Sequence, residues 1–281
     1  MSQIESDESD KESAVPEVMS LFGRTVRVYD LSQTLSNDTG GFQPNKHQIE
    51  YLTPDQTVEM TGRLFGLGPD YWPDGQGYCM ERADLSTHSG THLDAPHHYG
   101  PRAGGGRGRT VDELPLRWCM GDGLLLDLRH KQAGESIWRD DLVAELKRLG
   151  QTIKPYDIPL IWTGTSAHFE TPGYDQLHPG LRRDATEFLV DQGVRLIGID
   201  AWGIDRPFDV MIPEAKAGDR AQLWESHLLG REKEFGQIEM LCNLDQLPAP
   251  YGFTVLALPV KVSHASGAWS RVVAVYPDQA E

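Results

Sequence analysis

The 281-residue sequence predicts an α/β fold in a compact single domain. Two observations predict it. Through the middle of the chain, apolar strand-like runs alternate with amphipathic helical segments, which is the pattern of α/β proteins. From about residue 21 to residue 281, no internal repeat or linker divides the chain. With 39% hydrophobic and 24% charged residues, the composition is that of a globular protein with a packed core.

The N-terminal part of the chain combines a tail, a strand and a long loop-like segment. Residues 1–20 are acidic and rich in serine, and they predict a disordered tail because they offer little to bury. In residues 26–31 apolar and polar side chains alternate and β-branched valine recurs, which predicts a first strand. Residues 32–76 are rich in Gly, Pro, Asn and Asp, which predicts an irregular segment covering a site. Its Tyr71 and Trp72 are candidates to contact a flat substrate, although a role in pinning the segment to the core is equally well supported.

The remaining elements follow from the apolar pattern. Strands are predicted at residues 80–85, 123–128, 158–162, 194–200, 253–260 and 271–276. Helices are predicted at residues 140–149, with Gly150 as the C-terminal cap, and at residues 179–192. The glycine-rich run at residues 104–109 is superficially like a phosphate-binding loop. It lacks the lysine and the serine or threonine of that motif, so a flexible loop is the better interpretation.

Charge and cysteine content restrict the partners and the compartment. The formal net charge is −16, which argues against binding to nucleic acid or to an anionic membrane. No run of about 18 apolar residues predicts a membrane span, and no secretory signal is visible at the N-terminus. Cys79, Cys119 and Cys242 are widely spaced and form no C-x-x-C pair, which favours reduced thiols. The sequence therefore predicts a cytoplasmic protein with a small-molecule substrate.

The strongest chemical signal is the run Thr-His-Ser-Gly-Thr-His-Leu-Asp-Ala-Pro-His-His at residues 87–98. Imidazole and carboxylate groups together are the ligands that zinc and similar ions take from proteins. Gly90 permits a tight turn, and in an extended segment His92 and Asp94 would lie on one face. His88 could return from the turn to join them. A histidine-rich surface loop is the alternative, but the spacing favours a metal site.

Two later residues are candidates for further metal ligands. His227 lies near the end of a possible helix at residues 221–229, and Glu239 lies in the apolar run at residues 235–241. A buried carboxylate needs a partner because an unpaired buried charge is costly, and a metal ion is such a partner. From chemistry alone, a position on the surface is equally well supported for both residues.

Residues 88–98 match the motif H-x-G-T-H-x-D-x-P-x-H, and the sequence resembles the cyclase family of metal-dependent hydrolases. Bacterial kynurenine formamidases and isatin hydrolases are members of that family. The resemblance includes the Asp-Leu-Ser that begins at Asp30, the strand at residues 193–200, and the spacing of His227 and Glu239. It extends from about residue 26 to the C-terminus.

The resemblance implies a role for each matching residue of the metal site. His88 and His92 would hold a first divalent ion, and Asp94 would bridge two ions. His227 would hold the second ion, and Glu239 would bridge the ions or hold the first. The implied cofactor is one or two divalent ions per chain, with zinc favoured and manganese as the alternative.

The resemblance also implies a catalytic residue, a fold and an assembly. His98 would be the catalytic acid or base, while His97 would point away from it if the backbone there is extended. The implied fold has mixed sheets curled toward a barrel with flanking helices, and members are commonly homodimers or higher homo-oligomers. Residues 32–76, with Tyr71 and Trp72, have no secure counterpart in the formamidases, which leaves the substrate open.

The predicted function is hydrolysis of a small amide, formamide, lactam or lactone, with an aryl group, by metal-activated water. An isatin hydrolase-like lactam hydrolase and a metal-dependent cyclase or dehydratase are the enzymatic alternatives. A non-catalytic protein whose ions only fasten loops is the third. His98 argues against this last alternative, because a structural metal site is closed by four ligands and needs no additional base.

Overall fold

The computed structural model describes residues 16–39 and 47–278. The helices are α1 (Pro54–Phe65), α2 (Arg139–Leu149), α3 (Arg183–Asp191), α4 (Phe208–Lys216) and α5 (Glu225–Leu229). The strands are β1 (Glu17–Leu21), β2 (Arg24–Asp30), β3 (Gln48–Leu52), β4 (Met80–Asp84), β5 (His92–Asp94), β6 (Arg102–Ala103), β7 (Gly106–Arg107), β8 (Met120–Asp127), β9 (Ser136–Ile137), β10 (Ile158–Trp162), β11 (Gly180–Leu181), β12 (Leu196–Ile199), β13 (Gly236–Glu239), β14 (Phe253–Leu256), β15 (Gly267–Trp269) and β16 (Val273–Pro277).

A ten-stranded mixed sheet organises the molecule, with the strand order β1-β2-β16-β14-β8-β10-β12-β13-β5-β15. Its centre, from β8 through β10 and β12 to β13, is parallel, and the strands on both sides pair antiparallel. Helix α2 connects β8 to β10, α3 connects β10 to β12, and α4 and α5 connect β12 to β13. Parallel neighbours need such crossover connections. The predicted α/β class is confirmed.

The large sheet curls, because strands far apart in its order are joined beyond their ends. Ser32, just after β2, forms a bridge with Leu241, just after β13. The Cys242 backbone N–H donates to the Leu31 carbonyl at 3.0 Å, which is a normal hydrogen-bond length. Since β2 is second and β13 eighth in the strand order, these contacts bring the two sides of the sheet together. The mixed sheet curled toward a barrel, which the resemblance implied, is confirmed.

Two hydrophobic cores lie on the two faces of the curled sheet. Alternate residues of β8 point to opposite sides, as strand geometry requires. Leu125 packs in the core inside the curl, which also contains Tyr29 and Val255. Leu124 and Leu126 pack in the outer core together with the buried residues of α2 and α3. Burial on both faces explains the unbroken apolar run that predicted this strand.

The disordered tail predicted at residues 1–20 differs from the structure at its C-terminal end. Residues 1–15 lie outside the described residues, but Glu17–Leu21 forms β1 and pairs antiparallel with β2. Phe22 and Gly23 make the turn, with φ of 50° and 73°. The tail prediction is therefore wrong for residues 17–20. It weighed the side chains available for burial, whereas a hairpin strand at a sheet edge is held mainly by backbone hydrogen bonds.

The segment at residues 32–76 is more regular than its composition predicts. Residues 40–46 lie outside the described residues, but α1 occupies 12 residues of the segment. Thr53 and Gln56 form a capping box at the start of α1, and Gly66, with φ of 71°, caps its end. Strand β3 pairs with β4 in a separate two-stranded sheet, which also takes up the strand predicted at residues 80–85. The capping signals were present but were outweighed by the polar composition.

Several smaller elements also differ from prediction. The helix predicted from Pro179 begins at Arg183, because residues 180 and 181 pair as β11 with β9. The helix predicted at residues 221–229 is interrupted at Trp224, which has a φ of 55°. Only the part after it, α5, is an α-helix. The glycine run at residues 104–109 contributes the turn and β7 of a short hairpin rather than a flexible loop. Helix α4 and strand β15 were not predicted.

Two predictions concern the whole chain rather than single elements. A helix long and apolar enough to cross a lipid bilayer is absent from residues 16–39 and 47–278. Cys79 is exposed, Cys119 and Cys242 are buried, and all three are free thiols.

Candidate metal centre

Strand β5 forms the floor of the candidate metal centre. It lies between β13 and β15, so that Glu239 is opposite His92 and Gln237 is opposite Asp94. Because side chains alternate along a strand, His92 and Asp94 project from one face, as predicted, and Gln237 and Glu239 do the same from the neighbouring strand. All four side chains are buried. The pairing of β5 with β13 therefore joins two distant parts of the chain, since Asp94 and Gln237 are 143 residues apart in the sequence.

One oxygen of Asp94 faces two histidines. Asp94 Oδ1 lies 2.5 Å from His88 Nδ1 and 3.2 Å from His92 Nε2. The Nδ1–H of His92 donates to the Gly90 carbonyl at 2.9 Å, so Nε2 is the atom directed at the carboxylate. The turn at Gly90 has a φ of 58°, and a Cβ there would lie 2.5 Å from the Leu35 side chain. A glycine is therefore required to return His88 to the site.

The second oxygen of Asp94 faces two other histidines. Asp94 Oδ2 lies 3.7 Å from His98 Nε2 and 4.0 Å from His227 Nε2. Glu239 completes the cluster, with Oε1 3.5 Å from His227 Nε2 and Oε2 3.6 Å from His92 Nε2. The structure thus brings together all six residues predicted for the metal and catalytic roles, with two groups of three whose ligand atoms lie within 4.8 Å of one another.

Sequence reasoning assigned no role to Asp205, which orients His227. Its Oδ2 accepts from the Nδ1–H of His227 at 2.5 Å and from the His227 backbone N–H at 3.0 Å. Its Oδ1 accepts from the Ser226 backbone N–H at 2.7 Å. A carboxylate behind a metal-binding imidazole fixes the ring and its tautomer, so that Nε2 faces the ligand. The available signal was the position of Asp205 shortly after the buried strand β12.

Gln237 was also missed, although it lies at the centre of the cluster. Its side-chain nitrogen is 2.9 Å from Asp94 Oδ2, 2.7 Å from Glu239 Oε1 and 2.6 Å from His227 Nε2. The side chain is completely buried. Period-two spacing from Glu239 was the signal that could have identified it, because residues two apart on a strand share a face.

The cluster attracts positive charge. Burial lowers the pKa of His92, but the carboxylates of Asp94 and Glu239 outweigh it and raise this pKa to about 9. Burial and the Asp94 carboxylate raise the pKa of Glu239. Burial acts to raise the pKa of Asp94, yet His98, His88 and His92 hold it well below its usual range. Without a metal ion, protons therefore balance the charge of the carboxylates.

His98 behaves differently from the other histidines. Burial lowers its pKa to about 4, and the nearby histidines His227, His88 and His92 contribute in the same direction, while Asp94 opposes them. At neutral pH the ring is uncharged and can accept a proton. It lies in a 3₁₀ turn, Pro96–Tyr99, rather than in the extended segment considered for the sequence.

An open cavity of about 130 Å³ reaches the cluster. Its lining contains four of the six candidate ligand or catalytic residues, His88, His98, His227 and Glu239, together with Trp202, Gly203 and Trp224. The Trp224 ring stacks on His227, with the ring centroids 4.3 Å apart and the planes at 12°. The rings of Trp202 and Phe208 pack edge to face, with their centroids 5.8 Å apart. The cavity therefore has a polar floor and aromatic walls.

Comparison with known proteins identifies the family. Residues 29–206 match the Cyclase family model. The chain belongs to this family. It is 25% identical over 255 residues to kynurenine formamidase of Bacillus thuringiensis (strain Al Hakam), which covers 89% of this chain and 98% of the relative. It is 27% identical over 256 residues to kynurenine formamidase of Maricaulis maris (strain MCS10), which covers 88% and 97%.

Solved structures show the same fold as this Cyclase family protein. An isatin hydrolase bound to the product analogue thioisatinate has a TM-score of 0.71 and 21% identity, covering 90% of this chain and 93% of that one. Isatin hydrolase A from Labrenzia aggregata, bound to benzyl benzoate, has a TM-score of 0.68 and 21% identity, covering 90% and 94%.

The predicted substrate-contacting residues do not line the cavity of this family member. Tyr71 is 70% exposed, and the ring of Trp72 packs against Tyr78 at a centroid distance of 5.8 Å. Trp202 and Trp224 stand at the cavity instead. The prediction relied on a loop-like segment folding over the site, but much of that segment forms α1 and the β3-β4 hairpin. Trp202 was identifiable, because it follows a central parallel strand at the edge where sites of α/β proteins lie.

Proposed function

We propose that this protein is a metal-dependent hydrolase that cleaves a C–N bond, other than a peptide bond, in a small aryl formamide or amide. The observation that carries the proposal is the buried cluster of imidazoles and carboxylates at the floor of an aromatic cavity. Its kynurenine formamidase relatives support this reaction class. Hydrolysis of an aryl lactam or lactone is the related alternative, supported by the fold shared with isatin hydrolases.

The chemistry of the donors fits a divalent ion. Imidazole nitrogens with carboxylate oxygens are a zinc ligand set, and manganese accepts the same donors. His92 Nε2 is buried and has no well-formed hydrogen bond within the described residues, although Asp94 Oδ1 is near. His88, His92 and Asp94 would hold one ion, and Glu239 and His227 are the further candidates. When bound, the ion supplies a Lewis acid that lowers the pKa of water and polarises a carbonyl group.

His98 supplies the proton transfer in this proposal. Its uncharged ring borders the cavity, and its Nε2 lies 3.7 Å from Asp94 Oδ2. It accepts a proton from the attacking water and donates it to the leaving nitrogen. Without this second transfer, an amine would have to leave as an anion, which is unfavourable in water.

The cavity favours a flat apolar substrate. Trp202 and Trp224 present aromatic faces, and aromatic rings stack on such faces with favourable energy. A cavity of roughly 150 Å³ suffices for benzene, which is close to the size of this one. The aromatic walls thus support an aryl group next to the bond that is cleaved.

Chelation and substrate screening test the proposal together. Purified protein, treated with chelator and reloaded with zinc or manganese, would be assayed with N-formylkynurenine, isatin and an aryl lactone. Hydrolysis of one of them that disappears on chelation and returns with the metal is expected. Hydrolysis that chelation leaves unchanged would refute the metal mechanism, and release of water without net hydrolysis would favour the dehydratase alternative.

We further propose that the protein is a homodimer in the cytoplasm. Leu64, Phe65 and Tyr71, at the end of α1 and just beyond it, are 65%, 71% and 70% exposed. Large apolar residues that are exposed are candidates for a protein interface. The free thiols are compatible with a reducing compartment.

A further inference from the structure

The position of Gln237 bears on the number of ions in the centre. We propose that the side-chain amide of Gln237 occupies the place of a second ion, so that the protein binds one divalent ion, at His88, His92 and Asp94. This inference rests on the proposed metal-dependent function and specifies it further. It concerns a residue to which the family motif, at residues 88–98, assigns nothing.

The contacts of the amide define the occupied place. Three atoms from three separate elements converge on the Gln237 nitrogen: the carboxylate oxygens Asp94 Oδ2 of β5 and Glu239 Oε1 of β13, which accept from it, and His227 Nε2 of α5. The distances are 2.9, 2.6 and 2.7 Å. These are the donor atoms that a second ion would use. Donors lie about 2.0–2.2 Å from a bound zinc ion, so an ion and the amide nitrogen cannot share this place.

Charge fixes which end of the amide faces the donors. If the amide were reversed, Oε1 would lie against two carboxylate oxygens, which repel it. The NH₂ group instead offers its hydrogens to both carboxylates. Gln237 Oε1 has no hydrogen-bond partner among the described residues, so the contacts of the nitrogen hold the amide in place.

The first place, in contrast, is bordered by Asp94 Oδ1, which lies 2.5 Å from His88 Nδ1 and 3.2 Å from His92 Nε2. Gln237, Asp94 and Gly267 lie in one row across β13, β5 and β15. A Cβ at Gly267 would lie 2.6 Å from His88 Cε1 and 3.0 Å from Asp94 Oδ1. Glycine therefore leaves room around Oδ1, whereas the long side chain of Gln237 fills the space around Oδ2. The two sides of one carboxylate are built differently, which supports one ion rather than two.

Metal stoichiometry and electron paramagnetic resonance test the inference without measuring activity. Chelator-treated protein would be reloaded with Mn²⁺, desalted and analysed for metal per chain. The wild-type protein should bind one Mn²⁺ and show the resolved hyperfine lines of an isolated ion. Gln237→Ala, which removes the amide, should bind two ions whose magnetic coupling broadens or abolishes those lines.

Two further variants keep the test decisive. Gln237→Glu retains the size of the side chain and adds a carboxylate, so it should also bind two ions, even if Gln237→Ala folds poorly. Gln246→Ala, in the 3₁₀ turn Leu244–Gln246 at the surface, is the matched control and should bind one. Two coupled ions in the wild-type protein, or one ion in both Gln237 variants, would overturn the inference while leaving the hydrolase proposal intact. A wild-type protein that binds no ion would overturn both.

Discussion

At the scale of single residues, the centre depends on which atom of each side chain faces inward. The Gly90 carbonyl holds Nδ1–H of His92, and the Asp205 carboxylate holds Nδ1–H of His227, so both rings direct Nε2 toward the carboxylates. Among residues 16–39 and 47–278, no carboxylate restrains His98 in this way, and burial keeps its ring uncharged at neutral pH. The metal and proton-transfer roles are thus divided among chemically identical rings by their surroundings.

Replacement of His98 tests this division. His98→Ala should retain metal and fold, and should lose ~10² to 10⁴ in kcat, which is the usual effect of a general acid or base. His97→Ala is the matched control, and its kcat should be nearly that of the wild-type protein. Neighbouring side chains diverge in a 3₁₀ turn, and His97 is not among the residues lining the cavity. Turnover and metal content are measured on the same samples. Loss of metal from the His98 variant would make this residue a ligand and contradict the catalytic role.

At the scale of elements, the close packing of β15 against β5 creates the space for the metal ion. Gly267 is buried, and its Cα approaches the strand so closely that a Cβ would also lie 2.9 Å from the Leu93 carbonyl oxygen. A carbonyl oxygen in a paired strand cannot move aside as a flexible side chain can. The three-residue strand β15 can therefore lie close to His88 and Asp94 because Gly267 has no side chain.

Gly267→Ala should weaken metal binding. Overpacking of this kind costs roughly 1–3 kcal/mol, which corresponds to a loss of about 5-fold to about 160-fold in affinity if the displacement falls on the ligands. Isothermal titration calorimetry with Zn²⁺ or Mn²⁺ measures the change. Gly68→Ala is the control, because a Cβ at Gly68 meets nothing within 4 Å. Equal affinities in both variants would show that the packing of β15 does not position the ligands.

At the scale of the whole molecule, stability and metal binding are linked through protons. Without metal, the raised pKa values of His92 and His227, about 9 and about 10, mean that folding favours their protonated forms. The stabilisation is fully present below the unfolded pKa of about 6.5. It is lost as the pH rises through 9 and 10, because the unfolded chain has already released these protons.

The free energy of unfolding of metal-free protein should therefore fall between about pH 7 and pH 10. The free energy of unfolding of the metal-loaded protein should fall less over this range, since the ion replaces the protons as the partner of the carboxylates. Thermal unfolding, measured at several pH values with and without chelator, gives the difference between the two forms. Parallel curves for the two forms would contradict the prediction, while other groups that titrate in this range affect both forms alike.

The predicted assembly is also a property of the whole molecule. Light scattering after size-exclusion chromatography should give twice the mass of the 31.4 kDa chain. Phe65→Asp, at the exposed end of α1, should shift the protein toward the monomer, because a charge in a buried interface is unfavourable. Leu116→Asp, at a residue that is 65% exposed elsewhere on the surface, should not. A monomeric wild-type protein would contradict the prediction of a homodimer.

Local sequence patterns were sufficient for the α/β class and for the elements of the parallel centre. The unbroken apolar run of β8, the periodic apolar residues of α2 and the glycine that caps it at Gly150 each have a local physical cause. The run at residues 87–98 likewise brings His88, His92 and Asp94 together, because a turn and a short strand are sufficient for that. Family resemblance then favoured the ligand role of His227 and Glu239 over a surface position and added the curled sheet.

Contacts between distant parts of the chain decided the remainder. Gln237 faces Asp94 only because β13 pairs with β5 in one register, and a shift by one residue would turn Gln237 and Glu239 to the opposite face. Trp224 reaches His227 only because its backbone leaves the helical conformation, with a φ of 55°. Composition suggests which residues are able to bind metal or substrate. Strand register and tertiary packing determine which of them meet, because the energies that select a register come from the whole core rather than from neighbouring residues.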